Sequence, residues 1–181
     1  MRSPVSEKDF TEYDPETLTG ERLQEMDTTQ LGKIFSGAES PESEEICSRF
    51  KVLLLAGTVD NYLPTPLKKL KARFFSGPLF PLKNIELETA CQEEDAKGTK
   101  YLVPGGELRL KLFDFKVGTE TSEFDGRDSL NLNYDTPKNI LFIKNFRDEI
   151  RKVNSGLYIG RVYIMTGAKA RFLGYFSLEP E

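Results

Sequence analysis

Leu108-Arg109-Leu110-Lys111-Leu112-Phe113-Asp114-Phe115 changes character nearly every residue, and Leu108, Leu110 and Leu112 share one face. A period of two is that of a β-strand with one buried side. The same alternation appears upstream in Ile85-Glu86-Leu87-Glu88-Thr89-Ala90. Downstream, Asp125-Gly126 is a turn signal between residues 119–124 and 129–134, and Leu130, Leu132 and Tyr134 line one face of the second run. Residues 150–153, 157–165 and 172–178 are three further strand candidates, joined by Asn154-Ser155-Gly156 and Thr166-Gly167. The apolar run at residues 50–58 begins the series, whereas residues 139–143 read equally as strand or helical turn. About eight short strands therefore follow residue 49, with tight turns and no alternating helices. That spacing predicts a mainly β, antiparallel barrel in meander order, because closure removes exposed strand edges.

The N-terminal part reads differently. Residues 1–17 form a polar arm, and residues 18–49 form a helical segment with an acidic linker; the barrel is expected over residues 50–181. Leu23, Met26, Leu31, Ile34 and Phe35 suit one helix or two short ones, with Gly37 as a stop. Residues 1–49 carry a net charge of −7 and residues 50–181 a net +3. A second, basic helix is predicted at residues 65–75, where Leu67, Leu70 and Phe74 fall at helical spacing among Lys68, Lys69, Lys71 and Arg73. It is either an ordinary surface helix or a lid over a barrel mouth. Pro104-Gly105-Gly106 lacks the helix start of a phosphate cradle and reads as a hairpin turn.

Composition narrows the chemistry. The chain has 181 residues, one domain's worth, with 13 Phe and 7 Tyr to fill a core and no Trp. It has no histidine, which excludes Ser-His-Asp triads, Cys-His dyads and His-metal centres. No metal and no cofactor is expected. A net charge of −4 disfavours a nucleic-acid partner, and no run approaches the roughly 18 apolar residues of a membrane helix. The N-terminus shows no apolar leader segment. Cys47 and Cys91 are then expected to be free thiols in a reducing, cytoplasmic setting.

Several features of the last 60 residues carry a family resemblance. They are Tyr134-Asp135, Pro137, the run Asp148-Glu149-Ile150-Arg151-Lys152-Val153, the step from Leu157 to Gly160, and the closing Phe172-Leu173-Gly174-Tyr175-Phe176. Together they resemble small calycin-like barrels of the lipocalin and fatty-acid-binding type, especially the barrel segment of Gly-x-Trp-x-Gly domain proteins. The chain lacks the tryptophan of that motif, and the likeness covers about a third of it. The resemblance implies a barrel with a ligand-sized interior, not an activity.

Within that frame, Leu157, Ile159, Arg161, Tyr163 and Met165 form an apolar stripe interrupted by one arginine. The Arg161-x-Tyr163 pair looks like the carboxylate clamp of intracellular fatty-acid-binding proteins. On this reading Arg161 and Tyr163 face the interior and hold a ligand's polar end, with Tyr134, Tyr158 and Tyr175 as further polar groups. The alternatives are an arginine on the solvent face or one paired internally with Glu149 or Asp128. Asp148 and Glu149 are neighbours on a strand and point to opposite faces, which favours structural ion pairing over joint acid–base work. The expected function is binding a small hydrophobic molecule, with or without a carboxylate. The alternatives are a cofactor-independent cyclase or isomerase using the same cavity, and a protein-interaction module using the acidic arm. The sequence does not set the oligomeric state.

Overall fold

The computed structural model describes residues 13–57, 85–90, 97–103 and 109–181. The basic helix, Pro104-Gly105-Gly106, Cys91 and most of the N-terminal arm lie outside the described residues. Eight strands close into one antiparallel barrel in strict meander order. They are β1 (Arg49–Gly57), β2 (Ile85–Ala90), β3 (Lys97–Leu102), β4 (Leu110–Thr121), β5 (Asp128–Asn133), β6 (Phe146–Asn154), β7 (Leu157–Thr166) and β8 (Lys169–Pro180). β8 pairs back onto β1, with Val52 opposite Leu178.

The count of eight arises differently from the sequence reading. The two strands predicted at residues 108–115 and 119–124 are replaced, over the described residues, by one long strand, β4, while β3 has no counterpart among the predicted strands. Lys97-Gly98-Thr99-Lys100-Tyr101 shows no apolar alternation, because Gly98 lies under the Phe115 ring and Lys100 points into the barrel toward Asp148. Residues 139–143 form no strand; a 3-10 turn, Ile143–Asn145, leads into β6. The leucine alternation of β4 also does not run through the strand. The register slips between Lys100 and Tyr101, so Phe113, Phe115 and Val117 join the core, while Leu110 is exposed.

The interior is an apolar cluster that includes Phe50, Val52, Leu87, Phe115, Leu130, Leu132, Ile150, Phe176 and Leu178. On β7 it takes Tyr158 and Val162, so the even-numbered residues look inward. Gly160 lies between them and directly opposite Phe176 on β8. A Cβ there would stand 2.0 Å from the Phe176 ring. The ring occupies the space that any side chain at 160 would need.

A second cluster covers the outer face. α1 (Gly20–Gln24) starts at Thr19, whose hydroxyl accepts from the Arg22 N–H. α2 (Thr28–Gly37) starts with a capping box, in which Asp27 accepts from Thr29 and Gln30 N–H while the Gln30 side chain accepts from the Asp27 N–H. Leu31, Ile34 and Phe35 fall on one face of α2 and, with Leu23 and Met26, bury Leu157, Ile159 and Tyr175 of the barrel wall. Polar ties fix this strap. Asn154 Nδ2 donates to the carbonyls of Pro15 and Leu18, the Gly20 N–H donates to Glu179, and Glu39 and Lys152 exchange backbone hydrogen bonds.

The free-thiol expectation is corrected at Cys47, which is disulfide-bonded. Pairing of β1 with β2 brings Ser48 against Thr89, whose N–H donates to the Ser48 carbonyl. That register, invisible in sequence spacing, carries Cys47 alongside the end of β2. The premise of a reducing compartment is thereby removed. Among the described residues, no helix is long and apolar enough to cross a membrane.

Gly160→Ala should cost about 1–3 kcal/mol of stability through overpacking against Phe176. A lowered urea midpoint with an unchanged m-value would register it. Phe176→Leu in the Gly160→Ala background should recover part of the loss.

Candidate functional site

The five residues singled out from the sequence divide between two sides of the barrel wall. Tyr134 and Tyr158 face the interior cluster. Arg161, Tyr163 and Tyr175 lie on the outer face, against α2 and the turn after β4, so the inward orientation expected for Arg161 and Tyr163 is corrected. The physical reason is phase. Both faces of β7 are apolar because the helical strap covers the outer one, and the Gly160–Phe176 contact assigns the even face to the interior.

On the outer face, Arg161 makes the internal pair with Glu149. Its Nη2 lies 2.6 Å from Glu149 Oε2, its Nε lies 3.1 Å from the same oxygen, and Nη2 also donates to Ser122 Oγ at 2.7 Å. The guanidinium sits between the rings of Phe35 and Phe124, 4.3 and 4.2 Å from their centroids. Beside it, Arg151 is fully buried and forks onto Asp125 with two 2.8 Å bonds, while donating to the Phe35 carbonyl. Burial raises the Asp125 carboxyl, but the Arg151 fork outweighs it and holds the group below the usual carboxylate range. Asn131 donates to the Tyr163 hydroxyl at 3.2 Å, and burial pushes that phenol up to about 12. These charges are spent on holding the strap and the β4–β5 turn against the wall.

A different polar group lies inside. Asp148, at 1% exposure, accepts two hydrogen bonds of 2.6 Å at one oxygen, from Lys100 Nζ on β3 and from the hydroxyl of Tyr134, just past β5. Lys100 Nζ also stands about 5 Å from the ring centroids of Tyr134 and Phe176. The Tyr134 ring packs edge-on against Phe113 and Phe115. Burial, followed by the charge of Asp148, pushes the Tyr134 phenol well above its usual range, so it remains a neutral donor. The lysine is the reachable end of this triad: 15% of its side chain is accessible, against 1% for Asp148. Lys100 was missed in the sequence because its strand was missed. Asp148 was assigned a structural ion pair, without the lysine that completes it. Tyr158, also inside, packs edge-on to Phe50 at 5.6 Å.

The outer and inner groups make separate predictions. Arg161→Leu strands Glu149 in the wall and should destabilise by about 3–5 kcal/mol, with most of that regained in Glu149→Leu/Arg161→Leu. A denaturant double-mutant cycle measures it. Four phenols, those of Tyr134, Tyr158, Tyr163 and Tyr175, are raised by burial. Their folded values exceed the unfolded value near 10, so the stability tied to them is complete below about pH 10 and lost as pH rises beyond it. In an alkaline titration, their phenolate absorbance should appear together with the loss of the β-sheet circular dichroism signal.

No family model and no curated protein matches the chain. A solved protein from Thermomonospora curvata aligns over 86% of this chain and 88% of its own, with 12% identity and a TM-score of 0.45. That likeness is too distant to bear on fold or function.

Proposed function

We propose that the barrel interior binds a small hydrophobic molecule, and that Lys100, with Asp148 and Tyr134, receives its polar end. The observation that carries this reading is a lysine–carboxylate–phenol triad set among the apolar residues of the barrel core. A buried ion pair is weak support for stability, since well-packed apolar residues often do as well. A few placed polar groups within apolar walls are, by contrast, the ordinary make-up of a ligand site. Eight-stranded barrels of up-and-down order enclose room for side chains or one small ligand, and the meander order fits a calycin-like plan. Lys100 has three donors and gives one to Asp148 among the described residues, which leaves capacity for a ligand carboxylate. The carboxylate clamp sought at Arg161 and Tyr163 thus has its equivalent on the opposite side of the wall.

A second reading, a cofactor-independent isomerase or cyclase, is favoured by the Tyr134–Asp148 contact. A neutral phenol donating 2.6 Å into a carboxylate is an acid–base pair already aligned in a dry site. Binder and enzyme differ in whether the bound molecule returns altered.

Calorimetric titration with decanoate and with decanol separates the roles. Lys100→Met should weaken decanoate about ten- to a hundred-fold, the usual worth of a charge-assisted hydrogen bond, and leave decanol nearly unchanged. Lys100→Met/Asp148→Leu, which leaves no stranded charge, should show the same selectivity. Equal decanoate affinity in a folded Lys100→Met protein, or no binding of either probe to the unaltered protein, overturns the reading.

A further inference from the structure

We propose that the barrel end bearing the β5–β6 loop docks on an anionic lipid bilayer, with Ile140 and Leu141 entering its interfacial layer. Ile140 is 71% exposed and Leu141 82%, well above every other large apolar side chain among the described residues. Apolar residues scattered singly over a surface need no explanation, but these two are consecutive at the tip of a loop.

The loop holds them there. Asn139 Nδ2 donates to the carbonyls of Asp114 and Tyr134, at 2.6 and 2.8 Å, and Asn139 Oδ1 accepts from the Asp114 N–H at 3.1 Å. On the other side of the tip, Phe142 packs edge-on against Phe146 with ring centroids 5.2 Å apart, and Ile143 and Phe146 lie against the barrel core. The Ile140 carbonyl accepts from the Ile143 N–H, which closes the turn. An apolar pair anchored on both sides is presented outward and needs little further ordering when it docks.

Charge selects the partner. Connections in an antiparallel meander alternate between the two ends of the barrel, so residues 58–84, 103–109, 134–145 and 167–168 all join strands at the Ile140 end. By sequence they carry eight Lys and Arg against three Asp and Glu. Residues 91–96, 122–127 and 155–156, which join strands at the other end, carry one against five. Beside the apolar pair, Lys138 is mostly exposed and reaches Asp114 only at 3.9 Å, and Lys144 reaches Asp135 only at 3.8 Å, both beyond hydrogen-bond range. Such loose pairs leave the ammonium groups available to lipid phosphates and carboxylates. An apolar tip between lysines, on a net positive end, matches an anionic bilayer. The aliphatic groups enter the acyl boundary while the lysines stay among the headgroups.

The test is sedimentation of the full chain with vesicles of phosphatidylcholine alone, or of phosphatidylcholine and phosphatidylserine at about 2:1. Binding to the mixed vesicles is expected, weakening as salt is raised and weaker by about ten-fold or more without phosphatidylserine. Ile140→Ser/Leu141→Ser should weaken it by about ten-fold or more and leave the urea midpoint unchanged. The chain has no tryptophan, so Leu141→Trp introduces a single indole, whose emission should shift to the blue on mixed vesicles. Absence of binding to mixed vesicles, undiminished binding in the serine variant, or an unshifted indole on bound protein each overturns the proposal. A lowered midpoint in the serine variant also overturns it, because the pair would then be covered by the chain itself. Self-association that the serine variant abolishes, without vesicle binding, assigns the tip to a second copy instead. No interior ligand takes part, so failure of decanoate to bind leaves this test unaffected.

Discussion

The contact on which the barrel depends is the Phe176 ring lying over Gly160. Strand β7 is apolar on both sides, so its hydrophobic pattern is compatible with either face turned inward. A ring seated on a glycine across the β7–β8 ladder admits only one of them. Once residue 160 faces inward, Tyr158 and Val162 must follow, and Leu157, Ile159, Arg161 and Tyr163 must look outward. An outward face carrying Leu157 and Ile159 needs a cover, which α1 and α2 supply. The strap is therefore a consequence of the phase of β7.

Strand β6 shows the same division in its charges. Asp148 and Glu149 are consecutive, so one carboxylate enters the barrel and the other enters the layer beneath the strap. Each meets its own cation, Lys100 inside and Arg161 outside. The outer pair has a structural account: with Arg151 and Asp125 it joins the wall to Phe35 of α2 and to the β4–β5 turn, specifying where the strap docks. Among the described residues, the inner triad ties no covering segment in place. A buried ion pair is weak support for stability, and in the reading proposed above a ligand's polar end is what the triad serves.

Much of the fold was legible. The switch from a helical to a two-residue period marked the strap and the barrel, and Asp125-Gly126 and Thr166-Gly167 marked turns whose glycines take positive φ. What was illegible follows from side-chain chemistry at particular positions. Lys97–Leu102 looks like a loop because its inward positions include a glycine and a lysine, and with that strand Lys100 was lost as a site residue. The leucine alternation of β4 does not carry through the strand because a bulge changes phase between Leu110 and Phe113. Arg161 was recognised as a charge needing an anion; a strand apolar on both sides gave no means of telling which side the anion occupied. Tyr134 was the one candidate placed in the triad.

The most direct test of the interior site is isotope-edited NMR of the protein with 13C-labelled decanoate. The expected result is intermolecular NOEs from the methylenes next to the carboxylate to the rings of Tyr134 and Phe176 and to the Lys100 side chain. NOEs instead to Phe35 and Phe124, the rings that enclose Arg161, would contradict the account.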